Sequence, residues 1–177
     1  MITNFNINEN LTLNIITKKE SRDLFNLINS NRKYLNTWLP WVEYTNSEED
    51  SLLFIEESIR NYENNRSIQY TIYYKNQLAG LLGINDINTR IKSISLGYWI
   101  GESFQGKGII TESIKYLINQ LKKSSEFHRI EIRADKNNIK SRSVAERLDF
   151  NLEGVLRDAD WINNHFEDVI IYSLLIN

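Results

Sequence analysis

The stretch Phe104-Gln105-Gly106-Lys107-Gly108-Ile109-Ile110-Thr111 sets two glycines and a lysine between a strand-like run, Ser93 to Ile100, and a helical one. A glycine turn at such a junction lets something approach the backbone closely. Three phosphate-binding arrangements compete for it. A Walker loop ends in Gly-Lys-Ser/Thr, whereas Gly106-Lys107 is followed here by Gly108-Ile109. A dinucleotide fingerprint wants Gly or Ala where Thr111 stands, within a repeated βαβ frame, and the three strands before this loop read as antiparallel. The third arrangement holds a pyrophosphate on backbone N–H groups at a helix N-terminus, where the macrodipole also favours negative charge. Gly106 and Gly108 would admit the phosphates and Lys107 would add charge. The alternative is a tight turn without a ligand.

The remaining reactive side chains narrow the chemistry. There is no Cys, hence neither a disulfide framework nor a thiolate metal site, and His128 and His165 stand apart, so no metal site is expected. Neither His is placed for a Ser-His-acid triad. Ser141 opens a predicted helix, where Ser is a favoured N-cap, and Asn138 just before it reads equally well as a cap or turn residue. The strand Ser93 to Ile100 carries no carboxylate, and Glu102 lies just past its end. Trp38-Leu39-Pro40-Trp41 either plugs a helix–helix connection or walls a cleft.

The elements that must position these groups follow from hydrophobic periodicity. Leu11 to Ile16 alternates like a strand, and Leu24, Leu27 and Ile28 recur at helical spacing. Ser47 ahead of Glu49 and Asp50 predicts a helix reaching about Tyr62. Two apolar runs flanking Lys75-Asn76-Gln77 predict a hairpin. Beyond the glycine loop, Ile110, Ile114, Leu117, Ile118 and Leu121 fall on one helical face. A strand from Arg129 to Ala134, a short helix Ser141 to Leu148 and strands around Val155 and Ile170 complete the order β-α-α-β-β-β-α-β-α-β-β. The expected class is α/β of the α+β type, with a mixed, mostly antiparallel sheet of about seven strands, about four helices and a single domain over residues 1–177.

Composition sets the outer limits. A chain of 177 residues, 41% hydrophobic and 25% charged, is long enough for a proper core. No apolar run approaches the roughly 20 residues that span a bilayer, and the N-terminal Met1 to Asn10 lacks the pattern of a signal peptide, so a cytoplasmic protein is expected. A net charge of −2 argues against a general nucleic-acid binder. The distribution is uneven: seven acids against Arg60 between Glu43 and Glu63, and ten bases against five acids between Lys107 and Arg147. Together the two segments fit a cationic ligand at one end and an anionic one at the other, though for any single charge a solvated helix face is the simpler reading.

Gln105 to Ile114 resembles the Gln/Arg-x-x-Gly-x-Gly/Ala loop of the GNAT superfamily of N-acetyltransferases, which binds the pyrophosphate of acetyl-CoA. Asn138 to Gly154 is similar to that superfamily's Asn-x-x-Ser helix and its Leu-Gly-Phe-x-x-x-Gly continuation. Tyr34 to Val42 and Leu96 to Gly108 resemble the branch that acetylates ribosomal-protein N-termini, and the likeness runs along essentially the whole chain. Two positions depart from the pattern: Ile110 replaces Gly or Ala, which would crowd the loop, and Asp149 replaces the Gly after the short helix.

The resemblance implies acetyl-CoA as co-substrate, held by residues 105–111, by Asn138 and by backbone groups near Trp99 and Ile100, in a cleft where the strands Ser93 to Ile100 and Arg129 to Ala134 splay apart. It implies direct acetyl transfer to an amine, with Asp160 as general base, Glu102 as second candidate, and Ser141 protonating or hydrogen-bonding the departing thiolate. Trp38, Trp41, Glu43 and Glu102 would bind the acceptor. The expected acceptor is the α-amine of a ribosomal protein. The alternatives are a small amine (polyamine, aminoglycoside or amino acid) or a non-catalytic CoA-binding sensor. A monomer or homodimer is expected, without direct nucleic-acid or membrane contact.

Overall fold

The computed structural model describes residues 4–176, so the ends of the single-domain expectation, residues 1–3 and 177, lie outside it. Its centre is one sheet of eight strands in the order β1-β2-β3-β4-β5-β6-β8-β7. The strands are β1 (Phe5–Asn8), β2 (Leu11–Ile15), β3 (Ile68–Tyr74), β4 (Gln77–Asn88), β5 (Ser93–Ile100), β6 (Arg129–Asp135), β7 (Asn151–Ile162) and β8 (His165–Leu175). The strand beyond the expected seven is β1, which pairs antiparallel with β2. Among the described residues every pairing is antiparallel except β5 with β6. That exception follows from chain length, since a parallel neighbour needs a long crossover, here the helix α4 (Ile109–Ser124).

Helices cover both faces. On one, α4 buries Ile109, Ile110, Ser113, Ile114, Leu117, Ile118 and Leu121, and α5 (Ile139–Arg147) adds Val144 and Ala145. On the other, α1 (Ser21–Ser30), the single turn α2 (Arg32–Leu35) and α3 (Glu48–Glu63) enclose Leu24, Ile28, Leu35, Val42, Ile55 and Leu81. Among the described residues there are thus five α-helices where four were expected, because α2 is a separate turn. β5 lies between the two cores: Ile94 and Leu96 belong to the α4 side and Trp99 packs on the α1 side.

Local chemistry fixes the ends of these elements. Ser47 and Asp50 form a capping box at the start of α3, as the sequence predicts. Lys75 and Asn76 both adopt positive φ (50° and 62°), the geometry of a two-residue hairpin turn between β3 and β4. Pro40–Tyr44 is a 3₁₀ segment clamped by Arg32, whose guanidinium donates to the carbonyls of Val42 (2.6 Å) and Thr45 (2.5 Å). The helix α5 begins at Ile139, two residues before the predicted start, because Asn138 is its N-cap and accepts the Ser141 N–H (3.1 Å).

At the other end of α5 the chain closes a Schellman turn. Phe150 N–H donates to the Ala145 carbonyl (3.1 Å) and Asp149 N–H to that of Glu146 (3.2 Å), with Asp149 left-handed at φ 59°. This is the position where the resembling pattern has Gly. A left-handed L-residue costs of order 1 kcal/mol, less for Asp than for most. Asp149→Gly should therefore stabilise the chain by up to about 1 kcal/mol, raising Tm by roughly 2–4 °C in calorimetry. An unchanged or lower Tm would show that Asp149 makes up the strain by contacts of its own.

Candidate active site

β5 and β6 run side by side only from Ser93–Leu96 against Arg129–Ile132. Both strands continue, β5 to Ile100 and β6 to Asp135, yet no further register pair joins them. From Gly97 to Ile100 the backbone edge that faced β6 is open, while β4 still pairs along the other edge. A sheet that parts at its centre leaves peptide groups in want of partners, which an extended ligand arm can supply. The splay expected between these strands is present.

A cleft of about 750 Å³ runs from this opening to the glycine loop, lined by Tyr98, Trp99, Ile100, residues 104–112 and the first turns of α5. Gly106 (φ 70°) and Gly108 (φ 74°) are left-handed, and a Cβ on either would meet nothing within 4 Å. Both glycines thus serve the backbone conformation and keep space in front of the loop clear. The first intrahelical bond of α4 runs from Glu112 N–H to the Gly108 carbonyl (2.9 Å), so the amides of Ile109, Ile110 and Thr111 have no acceptor within the helix. Ile110 does not crowd the loop: its side chain is 9% exposed and joins the core, leaving its amide at the helix start. Lys107 rides over the rings of Phe104 (5.4 Å) and Tyr74 (5.9 Å). Lys107, Lys140 and Arg147 all line this cleft, and none makes an ion pair among the described residues. A nest of free amides, cleared glycines and uncompensated cations fits a pyrophosphate-bearing arm.

Side chains not singled out from the sequence hold the cleft in shape. Tyr98 donates its hydroxyl proton to the Ser141 carbonyl (2.9 Å) and accepts from Ser141 Oγ (3.1 Å), tying β5 to the start of α5 across the opening. Burial pushes the Tyr98 phenol up to about 12, so it remains a neutral donor. Because Asn138 is the cap, Ser141 sits within the helix with its hydroxyl toward Tyr98. Asn138 also lines the cleft, its Nδ2 without a protein partner among the described residues. Gln105 joins the walls: its amide nitrogen donates to the Tyr34 hydroxyl, and its Oε1 accepts from Lys140 Nζ (2.8 Å).

A second cavity of about 400 Å³ opens on the α1 and α3 side, lined by Trp41, Tyr44, Phe54, Leu81, Gln69, Asn85, Gly97 and Trp99 among others. It shares Leu39, Tyr98 and Trp99 with the larger cleft. The tryptophans divide between the two: Trp38 lines the large cleft and Trp41 the smaller cavity, with its ring 5.9 Å from that of Trp99.

The predicted acids are placed differently. Glu102 is exposed, and its N–H donates to Asn31 Oδ1 (2.8 Å). Glu43 is exposed and accepts from Asn36 (3.1 Å). Asp160 is exposed on β7, where its carboxylate accepts from Trp161 N–H (2.8 Å). None of the three lines either cavity. Asp160 does lie within electrostatic reach of Asp135 at the tip of β6, whose carboxyl is raised above its usual range by burial, with Glu167 and Asp160 adding to the effect. The acidic surplus from Glu43 to Glu63 is also smaller than a count suggests. Glu48 pairs with Arg22, Glu56 with Lys18 and Glu57 with Arg60, while Asp50 serves the α3 cap.

Residues 10–151 match the acetyltransferase (GNAT) domain family. The chain is 30% identical to the ribosomal-protein-serine acetyltransferase of Escherichia coli (strain K12), over 100% of this chain and 99% of that protein. It is 32% identical to the putative ribosomal N-acetyltransferase YdaF of Bacillus subtilis (strain 168), over 96% and 93%. Among solved structures it resembles the RimL ribosomal L7/L12 alpha-N-protein acetyltransferase in complex with coenzyme A, with TM-score 0.95 and 29% identity over 98% of both chains. It also resembles the microcin C7 self-immunity acetyltransferase MccE in complex with acetyl-CoA and AMP, with TM-score 0.94 and 36% identity over 96% and 94%.

The tie between Tyr98 and Ser141 has an alkaline signature. Tyr98 is raised from 10.0 to about 12, and burial raises Tyr70 as well. A pKa higher in the folded than in the unfolded chain gives stability that is full below pH 10 and lost as pH climbs toward 12. Ultraviolet titration of the nine tyrosines should show a late-ionising group, reduced by one in Tyr98→Phe. An unchanged late phase in that variant would refute the burial of Tyr98.

Proposed function

The chain belongs to the GNAT acetyltransferase family, and on that premise we propose that it carries acetyl groups from acetyl-CoA to the N-terminal α-amine of a ribosomal protein beginning with Ser or Ala. That it is an acetyl-CoA-dependent N-acetyltransferase follows from the family and its CoA-bound relatives. One observation carries the two-substrate reading: two cavities, one floored by the glycine loop and one walled by aromatic rings, meet at Leu39, Tyr98 and Trp99 beside the parted edge of β5. Acetyl-CoA would lie in the larger, with its pyrophosphate on residues 106–111 and its arm along Gly97–Ile100. The amine would enter from the smaller. The two reacting atoms then face each other without a covalent enzyme intermediate, a route consistent with the absence of Cys and of a Ser-His-acid arrangement.

Each step has a residue of this chain to serve it. Open N–H groups on the β5 edge would receive the oxygen that gains negative charge, the interaction that usually contributes most to such reactions. The Ser141 hydroxyl, turned from Tyr98 to sulfur, would hydrogen-bond the departing thiolate. The attacking nitrogen must lose a proton, and an α-amine with pKa near ~8 is already partly neutral at pH 7. A water chain ending on Asp160 suffices, in keeping with the position of that carboxylate outside the cavities, near the tip of β6. A second reading has its own support: the rings of Trp41, Tyr44 and Phe54 would also suit an acceptor amine bearing a planar group, and the MccE structure contains AMP.

Incubation with acetyl-CoA and Ser-initiated peptides should place one acetyl group on the N-terminus by mass spectrometry and leave internal Lys untouched. Transfer only to spermidine, an aminoglycoside or an aminoacyl nucleotide would remove the peptide assignment. Gly108→Glu puts a side chain and a like charge before the phosphates, and calorimetry should show CoA binding, expected in the micromolar range, abolished. Asp160→Asn should lower kcat by about 10²-fold with CoA affinity retained. Ser141→Ala should also lower kcat in a folded chain. Full activity in Asp160→Asn together with loss in Glu102→Gln would move the base to Glu102.

A further inference from the structure

The aromatic cavity has a polar patch whose chemistry is more specific than its walls. Gly83 on β4 and Gly97 on β5 are register partners, so neighbouring strands lack a side chain at the same point. The hollow is filled from two sides. A Cβ on Gly97 would overlap the amide nitrogen of Asn85, and one on Gly83 would overlap the amides of Asn85 and Gln69. Asn85 reaches this place because it lies at a β-bulge, where the β4–β5 register shifts between Ile84 and Asp86. Bulges re-aim side chains in this way. Gln69 comes from β3, and its Nε2 donates to Asn85 Oδ1 (3.0 Å). That bond uses half of each amide. Asn85 Nδ2 remains as a donor and Gln69 Oε1 as an acceptor, neither with a partner among the described residues, and both residues line the cavity.

We propose that Gln69 and Asn85 form a specificity site for the first peptide bond of the acceptor, with Asn85 Nδ2 donating to its carbonyl and Gln69 Oε1 accepting its N–H. The inference rests on the peptide reading of the same cavity and deepens it. Placement supports it: Gly97, under the pair, lies two residues before Trp99, about 6.6 Å along the strand. The peptide nitrogen of a first residue lies up to about 3.6 Å from its α-amine, and a hydrogen bond adds about 2.9 Å, so an amine at the meeting point of the cavities brings its first peptide bond within reach of the pair. A polyamine has no amide to offer and would leave both groups unpaired. Asn85 is exposed and Gln69 half-buried, so the bonded pair stands at the mouth of the cavity, open to an incoming chain, and the bond between the two amides reduces the freedom that binding must remove.

The test compares a Ser-initiated hexapeptide with the same peptide N-methylated at its first peptide nitrogen, acetylation being followed by mass spectrometry. Gln69→Leu and Asn85→Leu should each raise the peptide KM about tenfold, with KM for acetyl-CoA and Tm near those of the unaltered chain. Gly97→Ala should reproduce the Asn85→Leu effect by displacing that side chain. N-methylation should raise KM in the unaltered chain but have little further effect in Gln69→Leu, a coupling that a merely structural role would not produce. Peptide acetylation indifferent to all three substitutions, or an equal N-methyl penalty with and without Gln69, overturns this inference and leaves the peptide reading standing. No transfer to any peptide by the unaltered chain overturns both. Loss of activity in Gln69→Leu confined to an adenosine-bearing amine would reassign the pair to a nucleobase edge.

Discussion

The structure depends on a pairing that is not made. Hydrogen bonds between neighbouring strands normally continue to their ends, because buried peptide groups without partners are costly. Here two central strands keep company for four residues and then separate, β5 going on with β4 and β6 with β8. The separation is held open from both sides. Tyr98 fastens β5 to the start of α5, and Asn31 accepts the Glu102 N–H, fixing the far end of β5 to α1. The large cleft, the exposed edge that can serve a thioester and the meeting of the two cavities all follow from that opening.

Much of this was legible in the sequence where the signal is local. The five apolar positions read from Ile110 to Leu121 all face the core, because a 3.6-residue period needs no knowledge of the rest of the chain. The glycine loop was readable because positive φ leaves a mark in residue type. β1 escaped, being four residues with two Asn and too short for alternation to stand out. Ser141 reads as the start of α5 because Ser caps helices well, whereas Asn138 takes that role and leaves the Ser141 hydroxyl with Tyr98.

What the sequence concealed is tertiary. Tyr34, Gln105 and Lys140 form one chain of contacts although they come from three different segments. Gln69, Asn85, Gly83 and Gly97 come together from three strands, and no spacing along the chain announces them. Charge counts mislead for the same reason: the acids of α3 find partners on α1 and the turn before it. The resemblance points to Asp160 and residue type to Glu102 and Glu43, but neither tells where each stands relative to the cavities.

The four-residue seam between β5 and β6 also bears on how the molecule is held together. It is the sheet's parallel junction, and parallel pairing is slightly weaker per residue than antiparallel. On one side lie β1 to β5 and on the other β6, β8 and β7, each group joined internally by long antiparallel ladders. α4 and α5, packed beneath both groups, act as the splint across the seam. The sheet is thus built of two hydrogen-bonded units of unequal size that share one apolar core beneath the seam. A ligand arm that bridges the parted strands would act as a missing rung, fastening the two units together as it is bound.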